Sequence, residues 1–148
     1  MSKINFTYNL SGRKILKLPH CVFPVRLPRS VPFFFQTLKG HTGSITGMAT
    51  DPEGKKLYTI ASDGNVRYWE IKTGKALLAF QAHHGPIISM NVNHRLMYTA
   101  SSDGLAKCWV TEHGDNTVTY KEHSLSVTLI KFYKGLGIVN YHCLKALH

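Results

Sequence analysis

Thr59, Asp63, Gly64 and Trp69 recur forty residues later as Thr99, Asp103, Gly104 and Trp109. A fixed period of that size means that the chain is built from copies of one unit, each burying its faces against its neighbours. His41 and His83 open the two copies, 42 residues apart, and His123 opens a third 40 residues further on.

Local chemistry makes each copy a pair of hairpins. A β-prone run (56–60 and 95–100) meets an Asp-Gly turn and leaves as a second alternating run (65–69 and 105–109). Asp and Gly both tolerate positive φ, which a tight turn requires. A further apolar run precedes each hairpin (44–49 and 87–92) and another follows it (76–80 and 117–120). Each copy is therefore predicted to form four short antiparallel strands.

Gly40-His41, Ser62-Asp63-Gly64 and Trp69-Glu70 resemble the Gly-His, Asp and Trp-Asp landmarks of the WD40 repeat family. The resemblance covers residues 36–132, with two full repeats and a partial third. It implies an all-β fold, an incomplete propeller of two four-stranded blades with parts of flanking blades. It also implies a buried hydrogen-bond chain in each blade, from Trp69 to Thr59 to His41 to Asp63, repeated by Trp109, Thr99, His83 and Asp103. An indole only donates, a neutral imidazole does both, and a carboxylate only accepts, so that order strands no group.

A hydroxyl, a histidine and an aspartate are also the inventory of a hydrolase triad. Here the set occurs twice in tandem with a matching tryptophan, and the threonine belongs to a strand expected to be interior. The structural reading is preferred, and no enzyme activity is expected.

Departures from the family pattern occur at landmarks inside the repeats, as ordinary drift, and more seriously in the third copy. Trp-Asp becomes Trp69-Glu70 and Trp109-Val110, while Gly-His becomes Ala82-His83 and Glu122-His123. After residue 132 neither an Asp-Gly hairpin nor a tryptophan follows, and residues 133–148 read as a non-repeat tail. The repeat region is expected over 33–132, with blades at about 40–81 and 82–121 and a partial third at 122–132. A blade at 33–38 would supply only a fourth strand with nothing to pair with.

The chain has 18 Lys and Arg against 8 acids, and its first fifty residues hold seven of the cations and none of the acids. That leader also carries Pro19, Pro24, Pro28 and Pro32, so residues 1–32 are expected to be a disordered basic tail. Counterion release would let such a tail bind nucleic acid. Its prolines oppose the helix that a mitochondrial presequence needs. No run of apolar residues approaches the roughly 20 that span a bilayer, and an intracellular, chiefly cytoplasmic or else nuclear, protein is expected.

Three cysteines at long separations imply no disulfide framework, and neither His20-Cys21 nor His142-Cys143 has the cysteine spacing of a zinc site. No metal and no cofactor are expected. The leading functional expectation is a protein-binding scaffold, read as a truncated form of a longer propeller. Its partner-binding loops would include Ser62, His83, His84, Pro86 and Ser102. A nonfunctional or regulatory fragment, and nucleic-acid binding through the leader, are the alternatives. Open blade edges also predict self-association.

Overall fold

A computed structural model describes residues 3–8, 14–17, 22–25, 37–121, 124–133 and 138–143. In chain order the strands are β1 (Lys3–Tyr8), β2 (Lys14–Lys17), β3 (Val22–Val25), β4 (Thr37–Lys39), β5 (Ile45–Thr50), β6 (Lys56–Ala61) and β7 (Asn65–Glu70). They continue as β8 (Ala76–Gln81), β9 (Ile87–Asn93), β10 (Leu96–Ser101), β11 (Ala106–Val110), β12 (Asn116–Tyr120), β13 (Val127–Tyr133) and β14 (Ile138–Cys143). All pairings are antiparallel.

β5-β6-β7-β8 and β9-β10-β11-β12 are the two four-stranded sheets predicted from the repeats, and they form blades 1 and 2. Their boundaries follow from turn chemistry. In blade 1 the Asp51 carboxylate accepts from the Lys55 and Lys56 amides at 2.7 and 2.9 Å, closing the turn between β5 and β6. Between β6 and β7 the chain reverses through Gly64, whose φ of 75° is open to glycine at little cost. Gly104, at φ 83°, does the same in blade 2.

Packing between the blades is apolar and aromatic. Tyr58, Ile60, Val66 and Tyr68 of blade 1 meet Ile87, Met97 and Trp109 of blade 2 in one buried cluster. The Tyr58 and Tyr68 rings meet edge-on at 4.7 Å, and Phe80 reaches the Trp109 ring at 4.9 Å. On the opposite side of blade 1, Leu57 and Trp69 pack against Leu38 of β4. Beyond blade 2, Tyr98 and Cys108 pack with Val127 and Ile130 of β13. The first strands of successive units lie side by side, joined by a Thr46 hydroxyl bond to the Ile87 carbonyl at 2.5 Å.

Both ends correct the sequence reading. β1, β2 and β3 lie within the leader expected to be disordered, and they join β4 in a sheet of order β3-β2-β1-β4. β4 therefore has a partner: Lys3, Ile4 and Asn5 pair with Lys39, Leu38 and Thr37. The sheet tolerates Pro24 because β3 is its edge strand, where a missing amide proton interrupts no ladder. β3 approaches β5, so this sheet stands beside blade 1 with β3 innermost and β4 outermost. It has the layout of a blade, but its chain order is permuted, the fourth strand coming last after three that run inwards. Residues 33–36, and Pro19, Pro28 and Pro32, lie outside the described residues.

At the other end, β14 falls within the predicted non-repeat tail. It pairs with β13, Phe132 standing opposite Val139 and Ile130 opposite Tyr141. The β-prone alternation of Ile138 to Tyr141 suffices for a strand once β13 offers an edge. Glu122 and His123, the expected opening of the third repeat, lie outside the described residues.

Candidate functional site

The hydrogen-bonded clusters at one end of the blades begin with an indole that must find an acceptor once buried. Trp69 Nε1 donates to Thr59 Oγ1 at 2.9 Å, and that hydroxyl lies 2.8 Å from His41 Nε2. Having accepted from the indole, the hydroxyl donates to Nε2, which assigns the proton of His41 to Nδ1. Nδ1 then donates to Asp63 Oδ2 at 3.1 Å. Blade 2 repeats the arrangement: Trp109 Nε1 to Thr99 at 2.8 Å, Thr99 to His83 Nε2 at 2.8 Å, and His83 Nδ1 to Asp103 Oδ2 at 2.9 Å.

The aspartates tie these chains to the loops. Asp63 accepts from the Thr42 amide at 2.9 Å and, with its other oxygen, from the Asn65 amide at 2.9 Å. Asp103 accepts from the His84 amide at 3.2 Å and the Leu105 amide at 3.0 Å. The Gly64 carbonyl accepts from the Ala82 and His83 amides at 3.0 and 3.1 Å, joining the turn of blade 1 to the opening of blade 2.

Charge states follow the same geometry. Burial lowers the pKa of His41 below 6.5 and outweighs the attraction of Asp63, and burial likewise outweighs Asp103 at His83. For Asp63 burial acts upwards, but the amides of Asn65, Thr42 and Gly43 and the His41 ring bring it down to about 2. Asp103 is also lowered, against burial, by the Leu105 amide and His83. Neutral imidazole beside ionised carboxylate is the pairing that the donor order requires. Thr59 and Thr99 are both 0% exposed, so a substrate carbonyl cannot approach either hydroxyl.

The loop residues divide. His84, Pro86 and Ser102 are exposed, whereas Ser62 is half-buried, its hydroxyl accepting from the Ser44 amide at 2.8 Å. His83 corrects the expectation that it offers a partner a contact: it is 1% exposed, because both ring nitrogens are engaged inside blade 2. Ile88, at the start of β9, Leu125, just before β13, and Leu129, within β13, are 36, 42 and 41% exposed.

Sequence reasoning missed a cation in each blade. Lys107 Nζ donates to the Ala82 carbonyl at 2.7 Å and stands 5.5 Å from the Trp109 ring centroid. Arg67 holds the equivalent place in blade 1, its guanidinium beside Gly40 and Trp69. The signal was a cation two residues before each tryptophan. Ser101 was also missed; its hydroxyl donates to the Pro86 carbonyl at 3.0 Å and steadies the exposed loop. Among the described residues no group of three or more His, Cys, Asp or Glu could hold a metal ion. No helix among them is long and apolar enough to cross a membrane.

Blades of four antiparallel strands, stacked by their first strands and pinned by a Trp-Thr-His-Asp chain, define a β-propeller repeat protein. The family model for the WD domain, G-beta repeat, matches residues 33–70 and 74–110, about half of the chain, and the chain belongs to that family. Among curated relatives, it is 44% identical over 43 residues to the ribosome biogenesis protein BOP1 homolog of Arabidopsis thaliana, covering 29% of this chain and 6% of that protein. It is 43% identical over 65 residues to ribosome biogenesis protein erb1 of Botryotinia fuckeliana, covering 43% of this chain and 8% of that one. WD repeat-containing protein pop1 of Schizosaccharomyces pombe is 34% identical over 62 residues, with 42% and 8% covered. The chain thus spans less than a tenth of these relatives.

Among solved structures, the RRP9 WD40 repeats superpose with a TM-score of 0.59 at 20% identity, over 61% of this chain and 29% of that one. The computationally designed Ika8 protein superposes with a TM-score of 0.69 at 20% identity, over 93% of this chain and 42% of that one. Identities of that size bear on the fold alone.

Proposed function

We propose that the chain is a non-catalytic protein-interaction module whose rim loops receive a protein partner within an RNA-associated assembly. The observation that carries the reading is the rim itself. Buried hydrogen-bond chains hold the backbone of the loops, while His84, Pro86, Ile88 and Leu125 stand exposed. A rigid scaffold presenting uncharged, partly apolar side chains suits the desolvated centre of a protein interface. The ribosome biogenesis relatives supply the RNA-associated context, and a nuclear rather than cytoplasmic location follows from the same reading.

The test is proximity labelling in cells with the full chain and an Ile88→Asp/Leu125→Asp variant whose melting is matched to wild type. The reading predicts a defined set of neighbours that the variant loses. An unchanged set, or recovery of chaperones alone with the wild type, would overturn it.

A further inference from the structure

Three edge strands lead into the histidines of the repeats: β4 before His41, β8 before His83 and β12 before His123. Two residues ahead of the histidine stand Lys39, Gln81 and Lys121, all exposed. A lysine on an edge strand keeps other strands from pairing with it, because pairing strips its charge of water or sets it against its like. β4 and β12 carry that protection and β8 lacks it. From Ala76 to Ala82 the chain holds no charge and no proline, Leu77 is 47% exposed, and Ala76, Ala79 and Gln81 are exposed as well.

The ladder shows which backbone groups of β8 are free to pair. Phe80 stands opposite Val66 and Ala79 opposite Arg67, and at the end of the same ladder the Ala82 amide donates to the Gly64 carbonyl at 3.0 Å. Backbone direction alternates along an antiparallel strand. Leu78 and Phe80, in step with Ala82, therefore turn their amides and carbonyls to β7. Ala79 and Gln81 turn theirs outward, where no strand among the described residues pairs with them.

We propose that β8 pairs antiparallel with β8 of a second copy of this chain, about a two-fold axis at Phe80. Ala79 of each copy then exchanges both backbone bonds with Gln81 of the other, and the two Phe80 rings stand opposite one another. One pair of residues supplies both halves of the contact, the self-complementarity that an isologous interface needs. The register shift at Leu77 ends the regular edge, so a pairing displaced towards it leaves Gln81 without a regular partner. With a net charge of +10, copies meet at least cost where the contact is uncharged. The two Lys75 residues that precede the strands come to lie ten residues apart along the pairing, about 33 Å, well beyond the Debye length of about 8 Å. The same pairing at β12 sets Lys121 of each copy diagonally across from the other, at about 7–8 Å, where like charges repel. Two short strands make a small contact, and the dimer is accordingly reversible.

The test is sedimentation velocity on the full chain over a micromolar concentration series, in which the wild type should pass from monomer to dimer. Gln81→Lys gives β8 the lysine that β4 and β12 carry and should weaken the dimer at least tenfold. Ser102→Lys, an equal charge change at an exposed loop position, should stay within twofold of wild type. Ala79→Pro deletes an outward amide and no bond to β7, and it should also weaken the dimer at least tenfold. Circular dichroism melts of the three variants separate lost pairing from lost fold. A wild type that stays monomeric overturns the proposal. So does association, dimeric or larger, that Gln81→Lys and Ala79→Pro leave unchanged, since the contact then lies at another edge. Equal losses in Gln81→Lys and Ser102→Lys would mean repulsion by net charge and overturn it too.

Discussion

The Trp109 indole nitrogen lies 2.8 Å from the Thr99 hydroxyl oxygen, and the same atoms of Trp69 and Thr59 lie 2.9 Å apart. One hydroxyl serves both as the acceptor of a tryptophan and as the donor to a histidine, so each blade is pinned from its third strand to the loop that opens it. What the loops can present to a partner depends on this inner bracing.

Asp103→Ala removes the acceptor of His83 and of the His84 and Leu105 amides. Unsatisfied buried partners cost about 1–3 kcal/mol. Asp115→Ala, at an exposed position, should change stability by less than about 0.5 kcal/mol. Urea unfolding of the two variants measures the difference, and equal midpoints would contradict the bracing role.

Gly64→Ala should destabilise by more than about 1–2 kcal/mol, the usual penalty for a side chain in the left-handed region. A Cβ there would also stand 2.3 Å from the His83 carbonyl oxygen, where blade 1 meets blade 2. Thermal melting should show a lower Tm than for Gly54→Ala, whose φ is also positive, at 68°, but which lies in an outlying turn of blade 1.

Tyr68 is 2% exposed and its hydroxyl has no hydrogen-bond partner among the described residues, whereas the Tyr58 hydroxyl has the Thr111 side chain beside it as a polar neighbour. Tyr68→Phe should therefore leave stability unchanged or raise it by up to about 1 kcal/mol, and Tyr58→Phe should lower it by about 1 kcal/mol. Denaturant midpoints of the two variants give the comparison, and a loss at Tyr68 as large as that at Tyr58 would contradict it.

Stability should fall in two stages on acidification. His41 and His83 take up protons less readily when folded, because burial lowers them from 6.5. Below pH 6.5 the unfolded chain binds more protons, and the contribution present above that value is lost as the pH descends towards the folded values. Asp63 adds a second loss from 3.8 down to about 2, where its folded carboxylate finally protonates. Unfolding free energies at a series of pH values test this, and a rise in stability between pH 7 and 5 would contradict it.

The sequence made the middle of the chain legible and the ends opaque, for physical reasons. Asp-Gly turns and tryptophans mark blades 1 and 2 locally, and each hydrogen-bond chain uses residues of one repeat. β1 to β3 carry no such marks, and four prolines with net positive charge resemble the composition of a tail. Their alternation at Ile4, Phe6 and Tyr8 was present, but it becomes a sheet only through pairing with β4, more than thirty residues away. β14 depends in the same way on β13. His83 was given two roles, and packing allows only the buried one.

The most direct measurement is hydrogen exchange at the two tryptophan indoles of the 15N-labelled chain, which holds no others. The account predicts two indole resonances that both persist in deuterium oxide. One should exchange quickly in Thr59→Val and the other in Thr99→Val. Indoles that exchange within the dead time in the wild-type chain would contradict the buried bracing on which the blades, and the rim they present, depend.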